Sequence, residues 1–115
     1  MNILDQIAAI LNFSNLWLGH LPDAPDQLTA LFEYAGPGPE HSFDKTDYSY
    51  NIQARTRANT AAEAYALAVL VQDRLNRYEN TDLAILQTTP ILDIGQDNHN
   101  PPRHEYTVNF TVYVK

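Results

Sequence analysis

The spacing of hydrophobic residues changes along the chain, and each spacing predicts a different kind of element. Apolar residues recur at helical spacing over residues 3–13, which predicts a short amphipathic helix. Residues 48–58 and 105–115 alternate between apolar and polar side chains, as strands with one buried face do. The last segment has the clearest alternation in the chain, so we expect it to lie centrally in a sheet.

Shorter β-prone segments lie between these elements. Residues 28–34 are expected to form a short strand, and residues 83–88 and 91–94 form two more pieces on either side of Pro90. Proline cannot donate a hydrogen bond to a strand ladder, so it is confined to sheet edges and bends. The two pieces therefore predict one bent strand at the edge of the sheet.

A longer helix is predicted from residue 60 to about residue 78. Thr60 and Glu63 form a capping box, in which each side chain can bond the backbone N–H of the other residue. The apolar residues that follow are spaced by threes and fours, as on a helix that packs on a core. They are Ala64, Leu67, Ala68, Val71, Leu75 and Tyr78.

Three segments are expected to lie outside regular structure: residues 21–26 with two prolines, 35–47 with a Gly-Pro-Gly-Pro run, and 95–104. We call residues 21–26 the connector. The element order predicts an α+β fold with two layers, in which a largely antiparallel sheet of four to five strands carries two helices on one face. A length of 115 residues predicts one domain, residues 1–115.

Composition narrows the range of functions. A formal net charge of −7 disfavours sequence-specific nucleic-acid binding, because an acidic surface repels a polyanion. The chain contains no cysteine, which excludes disulfides, thiolate metal sites and cysteine nucleophiles. Neither a signal peptide nor an apolar run of roughly 20 residues is visible, so we expect a soluble protein made in the cytosol, with no membrane partner.

Candidate catalytic chemistry is sparse. The densest cluster of potential metal ligands is Asp93, Asp97, His99 and His104, but its spacing matches no ligand motif and two prolines interrupt it. No serine lies in a nucleophile-elbow context, and the four glycines form no phosphate-binding loop. We therefore expect no enzyme activity, no cofactor and no metal.

Two features suggest contacts with other proteins. Arg55 and Arg57 share the polar face of their strand, where they could bind a neighbour's carboxylates, line a channel for DNA, or simply be solvated. Because exposed strand charges alter stability little, replacing both with glutamate should leave the isolated domain folded. A second apolar face of the long helix must be covered by the first helix or by another subunit. The candidate contact residues are Arg55, Arg57, Tyr65, Val69 and Leu70, with Asp44, Asp47 and Asp97 as candidate acceptors.

The order of segments resembles the minor capsid and tail-terminator proteins of long-tailed bacteriophages over nearly the whole chain. Several stretches carry this resemblance, and their order and spacing matter more than any one of them. They are LPDAPD at 21–26, LFEY at 31–34, the glycine and proline loop at 36–39, IQARTR at 52–57, EAY at 63–65, PILDIGQD at 90–97, Arg103 and YTVNF at 106–110.

The resemblance implies a structural virion protein without catalysis, made in the bacterial host cytoplasm. Such a protein forms a ring, commonly of six copies, that caps the tail tube protein and meets the head connector or stopper protein. A head-completion (stopper) protein at the same junction is an alternative. A less favoured alternative is a small-molecule-binding α+β domain, with a pocket lined by Tyr48, Tyr50 and Tyr106.

Overall fold

In the computed structural model, residues 2–34, 40–41, 46–47 and 49–115 are described. Asp44 and Tyr48 lie outside these residues, as does the side chain of Asp47. The elements, in chain order, are α1 (Ile3–Leu11), β1 (Leu16–Leu18), β2 (Leu28–Tyr34), β3 (Glu40–His41), β4 (Thr46–Asp47), β5 (Ser49–Ala58), α2 (Ala61–Leu75), β6 (Leu83–Gln87), β7 (Leu92–Gln96) and β8 (His104–Val114).

Six strands form one sheet in the order β1-β2-β5-β8-β6, and β7 pairs with β8 beside β6. The long pair β5 and β8 forms its centre, in register from Ser49 opposite Tyr113 to Ala58 opposite His104. All neighbours are antiparallel except β1, which runs parallel to β2. The short strands β3 and β4 pair with each other. The predicted α+β class, with a largely antiparallel sheet, is confirmed.

Both helices pack on the same face of this sheet, as predicted. One core cluster contains the inner side chains of α1 and α2 together with alternate residues of the strands. These residues are Ile3, Ile7, Leu11, Leu31, Ile52, Ala54, Val71, Leu75, Leu83, Ile85, Val108, Phe110 and Val112. The other sheet face carries no helix among the described residues, and we call it the open face.

Local hydrogen bonds set the helix boundaries. Thr60 caps α2, and its hydroxyl accepts from the Glu63 N–H as predicted. The Glu63 carboxylate accepts from the Thr60 hydroxyl, where the capping box predicts a bond from the Thr60 N–H. α2 ends at Leu75, three residues before the predicted end, because residues 77–79 instead form backbone bonds with β6. α1 ends at Leu11, where Asn12 adopts a left-handed conformation that ends a helix.

Three strand features differ from the sequence prediction or refine it. The strand β1 was not predicted. The short strands β3 and β4 were not predicted either, since residues 35–47 were expected to lie outside regular structure. The bent edge strand around Pro90 is present as β6 and β7, which pair with successive parts of β8, and β7 extends two residues beyond the predicted end at residue 94. A register shift between Asp93 and Gly95 marks a bulge in β7. No helix among the described residues is long and apolar enough to span a membrane.

Candidate protein-contact surfaces

Arg57 lies on the open face, but the connector buries its guanidinium and leaves the residue 2% exposed. Its Nε donates to the carbonyl oxygen of Asp26 at 3.2 Å. Its Nη2 donates to three more carbonyl oxygens, those of Pro22 at 2.8 Å, Asp23 at 3.3 Å and Pro25 at 2.7 Å. Because the prolines keep the connector out of a strand ladder, its carbonyls need another donor, and Arg57 supplies it.

Arg103 fixes the same connector from its other side. The Arg103 side chain is buried, and its Nη1 and Nη2 each lie 3.2 Å from a carboxylate, of Asp26 and Asp23 respectively. Its Nε lies 2.7 Å from Asp97 Oδ2, and its backbone N–H donates to Asp97 Oδ1 at 2.9 Å. One arginine thus joins the connector to the loop of residues 97–103.

Arg55 makes a third ion pair beside these two arginines. Its Nε lies 2.8 Å from Glu105 Oε1, with the Arg55 side chain 35% exposed and that of Glu105 nearly buried. A cavity of about 530 Å³ lies between the connector and the loop, and Arg57, Arg103 and Glu105 line it. Arginines and carboxylates therefore largely neutralise each other at this end of the sheet.

The pKa of Asp97 reports how strongly this network favours the charged form. Burial alone would raise the pKa of Asp97. Hydrogen bonds donated by the Arg103 backbone, the Arg103 side chain and the His99 N–H lower it, and so does the positive charge of Arg103, which brings it to about 2. Burial alone would lower the pKa of Arg103, but its ion pairs and hydrogen bonds with Asp97, Asp26 and Asp23 raise it. Burial and the Arg103 charge lower the pKa of Arg57.

The sequence prediction that both arginines are exposed on one strand face of the subunit is wrong for Arg57, whereas a contact of Arg55 with a partner stays a prediction. Alternation correctly places Arg55 and Arg57 on the open face, but the connector folds over Arg57 and leaves only Arg55 partly accessible. Asp97, a candidate acceptor for a neighbouring subunit, already binds Arg103 within the chain. Arg103 and Glu105 also form ion pairs at this end of the sheet, and the candidate contact residues do not include them. The ion pairs of Arg103 depend on loop positions that alternation does not encode.

The second apolar face of α2 is largely uncovered. Tyr65 and Leu70 are exposed, and Val69 is half-buried. The Tyr65 ring meets Tyr106 of β8 edge to face, with centroids 5.4 Å apart. α1 packs beside α2 without covering Tyr65 or Leu70.

The other candidate sites are placed as follows. Among the described residues, no group of three or more His, Asp or Glu side chains has a geometry that could hold a metal ion. His99 bonds within its own loop, to Pro101 O, and His104 of β8 bonds to Gln96 Nε2 of the neighbouring strand β7. Tyr50 packs against the core under the helices, and Tyr106 contacts Tyr65, so these two tyrosines do not line an open pocket.

Comparison with known proteins shows the fold. A chain from the virion of a native gene transfer agent particle aligns with a TM-score of 0.63 and 14% identity, covering 94% of this chain and 83% of that one. A second solved protein, whose description names no function, aligns with a TM-score of 0.55 and 14% identity over 98% of this chain and 87% of its own. No protein-family model matches the chain, and no curated protein matches it.

The Arg57 contacts predict a large loss of stability when the guanidinium is removed. Arg57→Gln leaves the carbonyls of Pro22, Pro25 and Asp26 without their arginine donor, while Asp23 O keeps its bond from Arg103 Nη1. We expect the free energy of unfolding to fall by about 3–5 kcal/mol. Arg55→Gln is the matched control on the same strand face, and it should cost less than half as much because Arg55 is partly exposed. Urea denaturation measures both. Equal and small losses would mean that the connector does not depend on Arg57.

The lowered pKa of Asp97 predicts how its contribution to stability changes with pH. Its folded pKa of about 2 lies below the ordinary aspartate value of 3.8, so its stabilisation is fully present above about pH 5 and is lost as the pH falls towards 2. Asp97→Asn should cost roughly 2–3 kcal/mol at pH 7, and this difference from wild type should halve by about pH 3.

Urea denaturation of both proteins across that pH range measures the difference. The exposed Asp93→Asn variant, which removes a carboxylate outside this ion-pair network, is the control and is measured in the same way. A constant cost for Asp97→Asn between pH 7 and pH 3 would contradict the assigned ion pair.

Proposed function

We propose that this protein is a structural, non-enzymatic component of a phage or phage-like virion, and that it forms a ring at the junction of head and tail as a tail terminator. The observation that carries the proposal is the fold alignment, over 94% of the chain, with a protein of a gene transfer agent virion. The sequence resemblance to minor capsid and tail-terminator proteins supports the same role independently.

The surface of the molecule supports an assembly role. Exposed large hydrophobic residues occur on the outer face of α2 and on the open face of the sheet, including Leu70, Leu86 and Tyr113. Adjacent apolar residues that remain exposed in a small domain are typical of surfaces that contact other proteins. In the proposed ring, other copies of this chain, the tail tube protein and the head connector cover these surfaces.

Within this proposal, the outer face of α2 contacts a neighbouring subunit through Tyr65, Val69 and Leu70. Arg55 is the arginine that can also reach a partner, because its side chain is 35% exposed and only its Nε binds Glu105. Arg57 acts inside the subunit, where it positions the connector. Of the candidate acceptors, Asp44 and Asp47 in a neighbouring copy remain proposals for the partner of Arg55.

A head-completion protein at the same junction is the second candidate. Both roles need a ring-forming subunit with two different ends, and the described fold provides two. The connector and the loop of residues 97–103 lie at one end of the sheet, and β3 and β4 extend from the other, where β2 ends and β5 begins.

Loss of the gene in a producing phage should separate these two roles. A tail terminator stops tail growth, so its absence should give tails of abnormal length that do not join heads. A stopper acts on the head, so its absence should give normal tails beside heads that lose their DNA. Electron microscopy of the lysate distinguishes these outcomes, and normal infectious particles without the protein would overturn both roles.

The α2 contact predicts that a charge at its centre weakens assembly without unfolding the subunit. Leu70→Glu should reduce incorporation into particles at least tenfold, because it places a carboxylate in an apolar contact. The unfolding free energy should change by less than about 1 kcal/mol, since Leu70 is exposed. Thr81→Glu in an exposed turn is the control. Equal incorporation of both variants, measured by mass spectrometry of purified particles, would exclude this face as a contact.

A further inference from the structure

Two edge strands of the sheet have outer sides that no described residue pairs with through its backbone. On one edge this strand is β1, and on the other it is β7, all five of whose residues are exposed. The neighbouring strand β6 differs, because residues 77–79 cover its outer side: Arg77 N–H donates to Ile85 O at 2.9 Å, and Ile85 N–H donates to Tyr78 O at 2.8 Å. Uncovered edges are sites where another strand can add.

The two uncovered strands lie at the same level along the strand direction. The strand registers place one residue of each strand in a common row across the sheet. This row begins at Trp17 of β1, passes through Ala30, Arg55 and Thr107, and ends at Leu92 of β7. The next row begins at Leu16 and ends at Asp93. A second copy placed beside the first can therefore align its β1 with β7 without a shift along the strands.

The strand directions also match. β1 and β2 are parallel, and β2, β5, β8 and β7 are successively antiparallel, so β7 runs opposite to β1. When all copies in a ring point the same way along its axis, β7 of one copy meets β1 of the next as an antiparallel pair. Antiparallel pairing is the common geometry for short strands, and contacts between two different edges generate closed rings.

Charge and side chains favour this pairing over a two-fold contact. β1 carries no charged residue, and β7 carries only Asp93. Pairing β7 with β7 would bring two Asp93 carboxylates together, and like charges on facing strands are destabilising. Pairing β7 with β1 brings exposed Leu92 beside half-buried Trp17 on the open face instead.

We propose that β7 of one copy pairs with β1 of the next copy, so that the sheets of neighbouring subunits join into one continuous sheet. This inference rests on the proposed function, since it specifies how copies contact each other in the ring. The contact forms between copies of this chain alone, without a template. It also brings the N-terminal half of α2 close to the junction, because Tyr106, which Tyr65 contacts, lies beside Asp93 of β7.

The absence of native cysteine makes a direct test possible. The variant Trp17→Cys with Leu92→Cys carries one thiol on each edge, roughly 19 Å apart across four strand spacings of about 4.8 Å within one chain. A disulfide needs Cα atoms within about 7 Å, so the two thiols can join only between copies. Oxidation of the concentrated protein should give a ladder of linked chains that stops at the ring size.

Trp17→Cys with Leu86→Cys is the matched control. Leu86 is as exposed as Leu92, at 47% against 42%, and both lie on the open face. Leu86 belongs to the covered strand β6. It lies about 14 Å further along β8 than Leu92, because their partners Thr111 and Thr107 are four residues of about 3.4 Å apart. We expect at least tenfold more linked dimer from the Trp17 and Leu92 pair, with both variants retaining the wild-type circular dichroism spectrum.

The outcomes separate this inference from the proposed function. Two outcomes would overturn the strand pairing and leave the ring intact. One is an equal ladder of linked chains from both cysteine pairs, and the other is no ladder from either pair while the wild type sediments as an oligomer. No ladder and a wild-type monomer at every concentration would overturn a template-free contact, whereas the role at the junction is tested by loss of the gene. Leu92→Lys should weaken association at least tenfold and Leu86→Lys should not, and equal behaviour of the two would also overturn the pairing.

Discussion

The antiparallel pair of β5 and β8 is the contact on which the rest of the molecule depends. Ten residues of β5 are in register with β8 from Ser49 to Ala58, without a bulge. β2 and, through it, β1 attach to one side of this pair, and β6 and β7 attach to the other. α2 packs across both strands. Because residues facing each other across the pair share a side, one register determines both the core face and the open face.

The same register also determines where the ion pairs lie. Arg57 faces Glu105 across the pair, and Arg55 lies two rows away from Glu105 on the same face. Polar residues on an uncovered sheet face would normally be solvated. Here the connector and the loop of residues 97–103 fold over the row, so charges that alternation assigns to the surface become buried and paired. Removing one partner of such a pair is costly, although the pairing itself need not add much net stability.

These features explain which parts of the structure could be predicted from the sequence. Alternation in β5 and β8 and the capping box of α2 are local signals, and they identified the strands, the faces and the start of the helix. β1 has three residues and its partner lies more than ten residues away, so no periodic signal marks it. The burial of Arg57 depends on where a proline-containing connector lies in space, which no pattern along β5 encodes.

The contact residues could be predicted only in part, for the same reason. The apolar excess on α2 is a property of one helix, and it indicated a second face that either the first helix or another subunit covers. In the structure α1 leaves Tyr65 and Leu70 exposed. Which arginine remains available to a partner depends on tertiary structure, and only Arg55 keeps a partly accessible side chain. The pairing of edges depends on registers that pass through five strands, and a sequence pattern contains no such information.

Edge strands are normally protected, because an open backbone edge promotes aggregation. This chain protects one part of its edge: residues 77–79 bond to β6, and Pro90 bends the strand between β6 and β7. The bulge between Asp93 and Gly95 shortens the regular part of β7 that a partner strand can match. β1 offers only three residues. Each remaining edge is thus too short for strong pairing alone, and only a closed ring, in which every copy makes the contact twice, adds these weak contacts together.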